Sequence, residues 1–424
     1  MRLLAAFALG AALAACDNKP PASTAAASGT PTAGAPGPVA AFPKGETTFH
    51  FGGNPALTNI TFESKTEVTN ILGTTNRVSG SATVDLDAGK GSCKIVVPVD
   101  TLNSGMPDRD RAMLGKSWLN AKEFPTIEFE STKAAFTPPS TWAIDGKFKL
   151  HGVTKDITIT AQVKRLGDAR APRLKVKTSF PIALADYNIK IDKTAIATVD
   201  KVWNVSIDIS GSTVKPADAP AVAAKSGEED APKLVRIKPV SDEGIAGAKY
   251  KFGKKPQLST ISAVSETEIE TITAQTSAVA GLLGFDKEKA AGKVRFRVPV
   301  DHLRTGIDLR DEHMRGPQWL DSKAHPDILF ESTKIAKKEG AIWTVEGDFT
   351  LHGVKRPISI EVKLREIPLE RIQAAHWGDQ PGLGFDTTFT VKLSDHGVKV
   401  PDAGKDKVQD AWKVTLSLVA LLEE

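Results

Sequence analysis

Val294-Arg295-Phe296-Arg297-Val298-Pro299-Val300 alternates strictly, with Val294, Phe296, Val298 and Val300 on one side and two arginines on the other. An apolar period of two with one polar face is the signature of a half-buried antiparallel strand. The pattern recurs along the chain. Trp203, Val205, Ile207 and Ile209 alternate in one segment, and Trp412, Val414, Leu416 and Leu418 in another. Leu174, Val176 and Phe180 are interleaved with Lys175 and Lys177, and Phe389, Val391 and Leu393 repeat the arrangement. Turn-forming pairs such as Asp145-Gly146 and Glu346-Gly347 are expected to join strands into hairpins. Alternation breaks in 108–123 and again in 309–324, where Arg109, Asp110, Met113 and Trp118 suit a short helix or ordered loop.

The chain also repeats itself. Val97-Pro98-Val99-Asp100 returns as Val298-Pro299-Val300-Asp301, Arg109-Asp110 as Arg310-Asp311, and Trp118-Leu119 as Trp319-Leu320. Phe129-Glu130-Ser131-Thr132-Lys133 returns as Phe330-Glu331-Ser332-Thr333-Lys334, and Leu150-His151-Gly152-Val153 as Leu351-His352-Gly353-Val354. All of these pairs lie 201 positions apart; after an insertion the offset becomes 209, as in Trp203 and Trp412. That period is too long for a solenoid, whose units run about 20–50 residues, so these are duplicated domains. The expected organisation is a signal peptide over 1–15, a tether over 16–45, a first β domain over 46–211, a linker over 212–245 and a second β domain over 246–424. The linker carries Pro216, Pro220, Pro232 and Pro239 and the acidic run Glu228-Glu229-Asp230. Seven or eight strands per domain allow either a sandwich, whose core is filled, or a closed barrel, which can enclose one small ligand.

Of the 424 residues 41% are apolar and 25% charged, which is ordinary for globular material, and a net charge of +4 gives no reason to expect a nucleic-acid partner. The N-terminus departs from this. Met1-Arg2 precedes an apolar, small-residue run from Leu3 to Ala15, shorter than the roughly 20 residues a bilayer span needs but suited to a cleaved export signal. Leu13-Ala14-Ala15-Cys16 resembles the bacterial lipobox, which implies diacylglyceryl attachment at Cys16 and a membrane-anchored protein facing the periplasm; Asp17 leans towards the inner membrane. With Cys16 acylated, the second cysteine, Cys93, has no disulfide partner and reads as a small buried apolar residue. The Ala, Pro, Ser, Thr and Gly composition from Asn18 to Gly45 reads as a tether.

The ordered string from Arg109-Asp110 through Trp118-Leu119, Phe124-Pro125, Ile127, Phe129 and Ser131 to Gly146 and Leu150-His151-Gly152-Val153-Thr154 resembles the YceI-like family of exported bacterial proteins. The second copy carries Arg310-Asp311, His313, Trp319, Pro326, Ile328, Phe330, Ser332, Gly347 and Leu351-His352-Gly353-Val354. The resemblance implies two lipocalin-like eight-stranded antiparallel barrels, all-β apart from the short helix, with apolar cavities for polyisoprenoid or other long-chain lipids. The second domain keeps more of the pattern: His313 stands where the first has Ala112. A late Arg-x-Asp-Phe-Gly string is degraded in both, to Asp186-Tyr187-Asn188 and Asp395-His396-Gly397.

Candidate ligand-binding residues are therefore Arg109, Asp110, Trp118, Phe129 and His151, with Arg310, Asp311, His313, Trp319, Phe330 and His352 in the second copy. Each has a structural alternative. The Arg-Asp pair can anchor a lipid headgroup through the guanidinium fork or pin a loop to the barrel rim. The histidines can meet a headgroup or stabilise a turn, and the tryptophans can line a cavity mouth or fill a core. No metal or cofactor is expected, because His302, His313 and His325 lie 11 and 12 residues apart rather than at metal-ligand spacing. No G-x-S-x-G elbow or glycine-rich phosphate cradle occurs, which argues against an enzyme. The leading expectation is a tethered lipid carrier or sequestering protein. The alternatives are an interaction module with filled barrels or an enzyme on a lipid-linked substrate.

Overall fold

The computed structural model describes residues 42–423 apart from 67, 169, 192–198, 218–236 and 287. The signal peptide, Cys16, Asp17, nearly all of the tether and the middle of the linker lie outside the described residues. The first domain contains β1 (Thr47–Phe51), β2 (Thr58–Lys65), β3 (Asn70–Thr75), β4 (Ser79–Asp85), β5 (Lys90–Pro98), α1 (Pro107–Leu114), β6 (Thr126–Thr137), β7 (Thr141–Leu150), β8 (Val153–Leu166), β9 (Arg173–Ala183) and β10 (Val202–Ser212). The second repeats the order with β11 (Ala248–Phe252), β12 (Thr260–Glu266), β13 (Thr271–Thr276), β14 (Ala280–Asp286), β15 (Ala291–Pro299), α2 (Asp308–Arg315), β16 (Asp327–Glu339), β17 (Ile342–Leu351), β18 (Val354–Ile367), α3 (Leu369–Ala374), β19 (Gly382–Lys392) and β20 (Ala411–Leu422).

The sequence left sandwich and barrel open; the pairing decides for barrels. In the first domain the antiparallel order is β1-β4-β5-β6-β7-β8-β9-β10, and β10 pairs back onto β1 at Ser212 and His50. β2 and β3 are not extra staves. They continue β1 and β4 beyond a break, so that β10 hydrogen-bonds first to β1 and then to β2, and the hairpin 47–85 counts as two bent strands in an eight-stranded barrel. The second domain repeats this arrangement. Glycine makes the break possible: Gly52 has φ +92° and Gly253 φ +79°, and a Cβ at either would run into the carbonyl of Val78 or Val279.

Asp145-Gly146 and Glu346-Gly347 do not form turns. They lie inside β7 and β17, opposite a bulge between Ser131 and Lys133 and another between Ser332 and Lys334. A Cβ on Gly146 would stand 2.5 Å from the Phe129 ring; the glycine is there to admit that ring. The turns fall at His151-Gly152 and His352-Gly353, where both residues of each pair have positive φ, as a two-residue hairpin of mirror-image type requires.

The bent hairpins meet between the barrels. The Thr260 hydroxyl donates to the Asn70 carbonyl, and Gln275 Nε2 donates to the Asn103 carbonyl at 3.2 Å. Gly105 packs on Gln275, while its repeat partner Gly306 faces Thr74 and Asn76 of the first barrel. Contacts that return when repeat partners are exchanged define an approximate two-fold, self-complementary interface. The hairpin tips differ. Val68 (2% exposed) enters an apolar cluster of the second barrel with Leu258, Ile367, Ile372 and Trp377. The insertion that shifts the repeat offset supplies α3 and Ile372 to that cluster. At the other tip, Lys175 donates to the Ile269 carbonyl at 3.2 Å and pairs with Asp208 at 2.6 Å, and Asp208 accepts from Thr271.

Candidate functional site

Inward-facing side chains of β1, β2 and β4 to β10 enclose a cavity of about 200 Å³ in the first barrel. Its wall is apolar almost throughout. Trp142, Ile144, Phe148 and Ile207 line it, as do Leu102, Met113 on α1 and Leu119. Alternation explains the wall: each strand sends every second side chain inward, and most of those positions are aliphatic or aromatic, with Ser131 and Thr178 among the exceptions. Cys93 also lines the cavity. Burial raises its thiol pKa above the usual value, against a smaller lowering by Ser131.

Trp118 and Phe129 lie on this wall, and Phe330 lines the smaller cavity of the second barrel. Trp319 packs against the second core without reaching that cavity. The other candidates are elsewhere. Asp110 accepts from the backbone N–H of Ser104 at 2.7 Å and from its hydroxyl at 2.5 Å, closing the loop that precedes α1. Asp311 does the same with Thr305, at 2.7 and 2.6 Å. Burial pushes both carboxyls up, against the hydrogen bonds that lower them.

The arginines point to the barrel interface. Arg109 Nη2 donates to Ser277 Oγ of the second barrel at 3.0 Å, and burial lowers its pKa to about 10 despite Asp110 beside it. Arg310 pairs with Glu270 and reaches the Ala56 carbonyl of the first barrel at 3.5 Å. The histidines hold turns: His151 Nδ1 lies 3.0 Å from the Tyr187 carbonyl, and His352 Nδ1 3.3 Å from that of His396. His313 is exposed on α2. The structure thus brings Trp118 and Phe129 together at a cavity and gathers the Arg-Asp pairs at the interface. Arg109, Asp110 and His151 do not line the cavity. Among the described residues no cluster of three or more His, Cys, Asp or Glu has metal-binding geometry.

The second barrel holds only about 70 Å³. Positions 84, 95 and 176, whose counterparts in the second copy are Phe285, Phe296 and Phe385, line the first cavity but lie outside the motifs. They were findable by aligning the repeats and comparing side-chain size at inward positions.

The profile of the YceI-like domain matches residues 53–211 and 253–420. The chain belongs to the YceI-like family. A UPF0312 protein of Pectobacterium atrosepticum is 28% identical over 172 residues, covering 39% of this chain and 84% of that protein. Protein YceI of Escherichia coli is 32% identical over 124 residues, covering 28% of this chain and 59% of that one. Among solved structures, BcnA of Burkholderia cenocepacia matches 39% of this chain and 98% of its own at 23% identity, with a TM-score of 0.35. A domain from Saccharophagus degradans, described as polyisoprenoid binding, matches 40% and 99% at 14% identity, with a TM-score of 0.32.

Proposed function

We propose that this YceI-like protein binds a long apolar chain, of polyisoprenoid or fatty-acyl type, inside a barrel and acts as a carrier or sequestering protein. The observation that carries the reading is the apolar cavity of the first barrel. At about 200 Å³ it has room for on the order of 15 methylene-sized groups, taking roughly 10–15 Å³ of such space per water-sized sphere. Each methylene withdrawn from water contributes about 0.8 kcal/mol. A chain filling the space gains on the order of 10 kcal/mol before immobilisation costs, enough for micromolar or tighter binding with few polar contacts. A wall without convergent polar groups therefore suits a ligand held by its tail.

The resemblance of Leu13-Ala14-Ala15-Cys16 to a lipobox supports a reading in which the protein is anchored to a membrane and faces the periplasm, with Asp17 favouring the inner membrane. The tether would let the barrels meet chains leaving the bilayer. Two measurements test the proposal. Lipid mass spectrometry on organic extracts of the purified, exported protein should find a co-purifying long-chain molecule; its absence from independent preparations refutes chain binding. Metabolic labelling with a palmitate analogue should mark the native chain and not Cys16→Ser; equal labelling refutes the anchor.

A further inference from the structure

The repeat gives each inward position of one barrel a counterpart in the other, and three of these pairs differ by a phenyl ring. Val84, Ile95 and Val176 of the first barrel stand where the second has Phe285, Phe296 and Phe385. Each added ring meets a ring that both barrels keep. Phe285 lies edge-on to Trp343 with centroids 5.3 Å apart, Phe296 stacks on Phe330 at 5.2 Å, and Phe385 lies against Phe252 at 5.3 Å. In the first barrel the kept partners Trp142, Phe129 and Phe51 face the cavity instead.

Smaller changes run the same way: Ala82, Ala134, Ala161 and Val163 become Leu283, Ile335, Val362 and Leu364. The main opposing change, Phe62 to Ala263, lies on the bent hairpin. Phe296 and Phe385 pack against two apolar clusters inside the second barrel and so bridge them. The remaining 70 Å³ admits about five methylene-sized groups on the same scale, too few for a long chain.

Building on the chain-binding reading above, we infer that the protein is a one-site carrier: the first barrel takes the chain, and Phe285, Phe296 and Phe385 close the second to it. The three paired positions determine which barrel is a vessel. The barrel that keeps more of the family motif is the closed one, which is consistent because the extra motif residue, His313, is exposed on α2, while the motif residues that line the wall, such as Phe129 and Phe330, are common to both barrels.

The test uses the mature full-length chain and 9,10-dibromostearic acid, whose bromines quench nearby tryptophans, with stoichiometry counted by native mass spectrometry. The wild type should take one chain and lose fluorescence through Trp118, Trp142 and Trp203, which line the first cavity, so that replacing these three by Phe removes much of the quenching and Trp343→Phe leaves it. The triple variant Phe285→Val, Phe296→Ile, Phe385→Val should take two chains. The converse variant Val84→Phe, Ile95→Phe, Val176→Phe should take none; where overpacking unfolds it, the tryptophan variants of the two barrels still decide. Two chains in the wild type, or quenching that depends on Trp343, overturns the one-site inference while leaving chain binding intact. No chain in any variant, including the opened one, overturns the chain-binding reading itself.

Discussion

Replacing Val68 should uncouple the two barrels. Val68 sits at the tip of the β2–β3 hairpin, 2% exposed, among Leu258, Ile367, Ile372, Ala375 and Trp377 of the second barrel. Val68→Ala removes two methyl groups, about 1.6 kcal/mol at 0.8 kcal/mol per carbon, plus a smaller amount for the cavity left behind. Val68→Asp loses the same contacts and adds the desolvation of a carboxylate with no polar partner, raising the cost to several kcal/mol. That is roughly a thousandfold loss in docking at 1.4 kcal/mol per decade. Because Val68 does not line the cavity, the first barrel itself should survive. Scanning calorimetry should show coupled unfolding in the wild type, a modest shift in Val68→Ala, and two separated transitions in Val68→Asp, with faster proteolysis between the barrels. If Val68→Asp unfolds as the wild type does, the hairpin tip is not what holds the barrels together.

Three further outcomes follow from the same geometry. Glu331 is drawn to a pKa of about 2 by Arg295 at 2.7 Å and Lys293 at 2.8 Å. A carboxyl lowered on folding adds stability above its unfolded value near 4.5 and loses it as pH falls towards 2; Glu331→Gln should flatten that acid limb in urea titrations, by less than about 1 kcal/mol because the side chain is 44% exposed. Cys93, its thiol raised by burial, should alkylate with iodoacetamide at pH 8 at least about tenfold more slowly than a free thiol. Added palmitate should slow it further, and equal rates with and without palmitate would place the chain elsewhere. Gly253→Ala combines φ +79° with a blocked Cβ and should cost about 3 kcal/mol or more, whereas Gly45→Ala, at φ +78° with nothing within 4 Å, should cost about 1 kcal/mol in the same denaturation assay.

The strands were legible because burial on one face imposes a period of two, and Val294 to Val300 shows it without help from any neighbour. The duplication was legible from spacing alone. Barrel closure was not, since it depends on β10 finding β1, a pairing that leaves no local mark. Asp145-Gly146 misled because glycine serves two purposes: turning a chain and making room for a ring. At the site, Phe129 and Phe330 lie in alternating stretches that place them inward, whereas Trp118, in a segment without alternation, and Arg109 and Arg310 could not be placed that way. A guanidinium looks the same in a sequence whether it meets a ligand or a neighbouring barrel. The ring substitutions at 285, 296 and 385 were in plain view but lay between the motifs, where apolar residues replace one another without altering the pattern.

The approximate two-fold between the barrels has one more consequence. Two identical chains meeting through such a surface would carry every inward substitution twice, so both interiors would be open or both shut. Joining the halves in one polypeptide removes that constraint: each can drift while the shared surface keeps its shape. One half is then free to become ballast, a solid counterpart whose bulk steadies the hollow one.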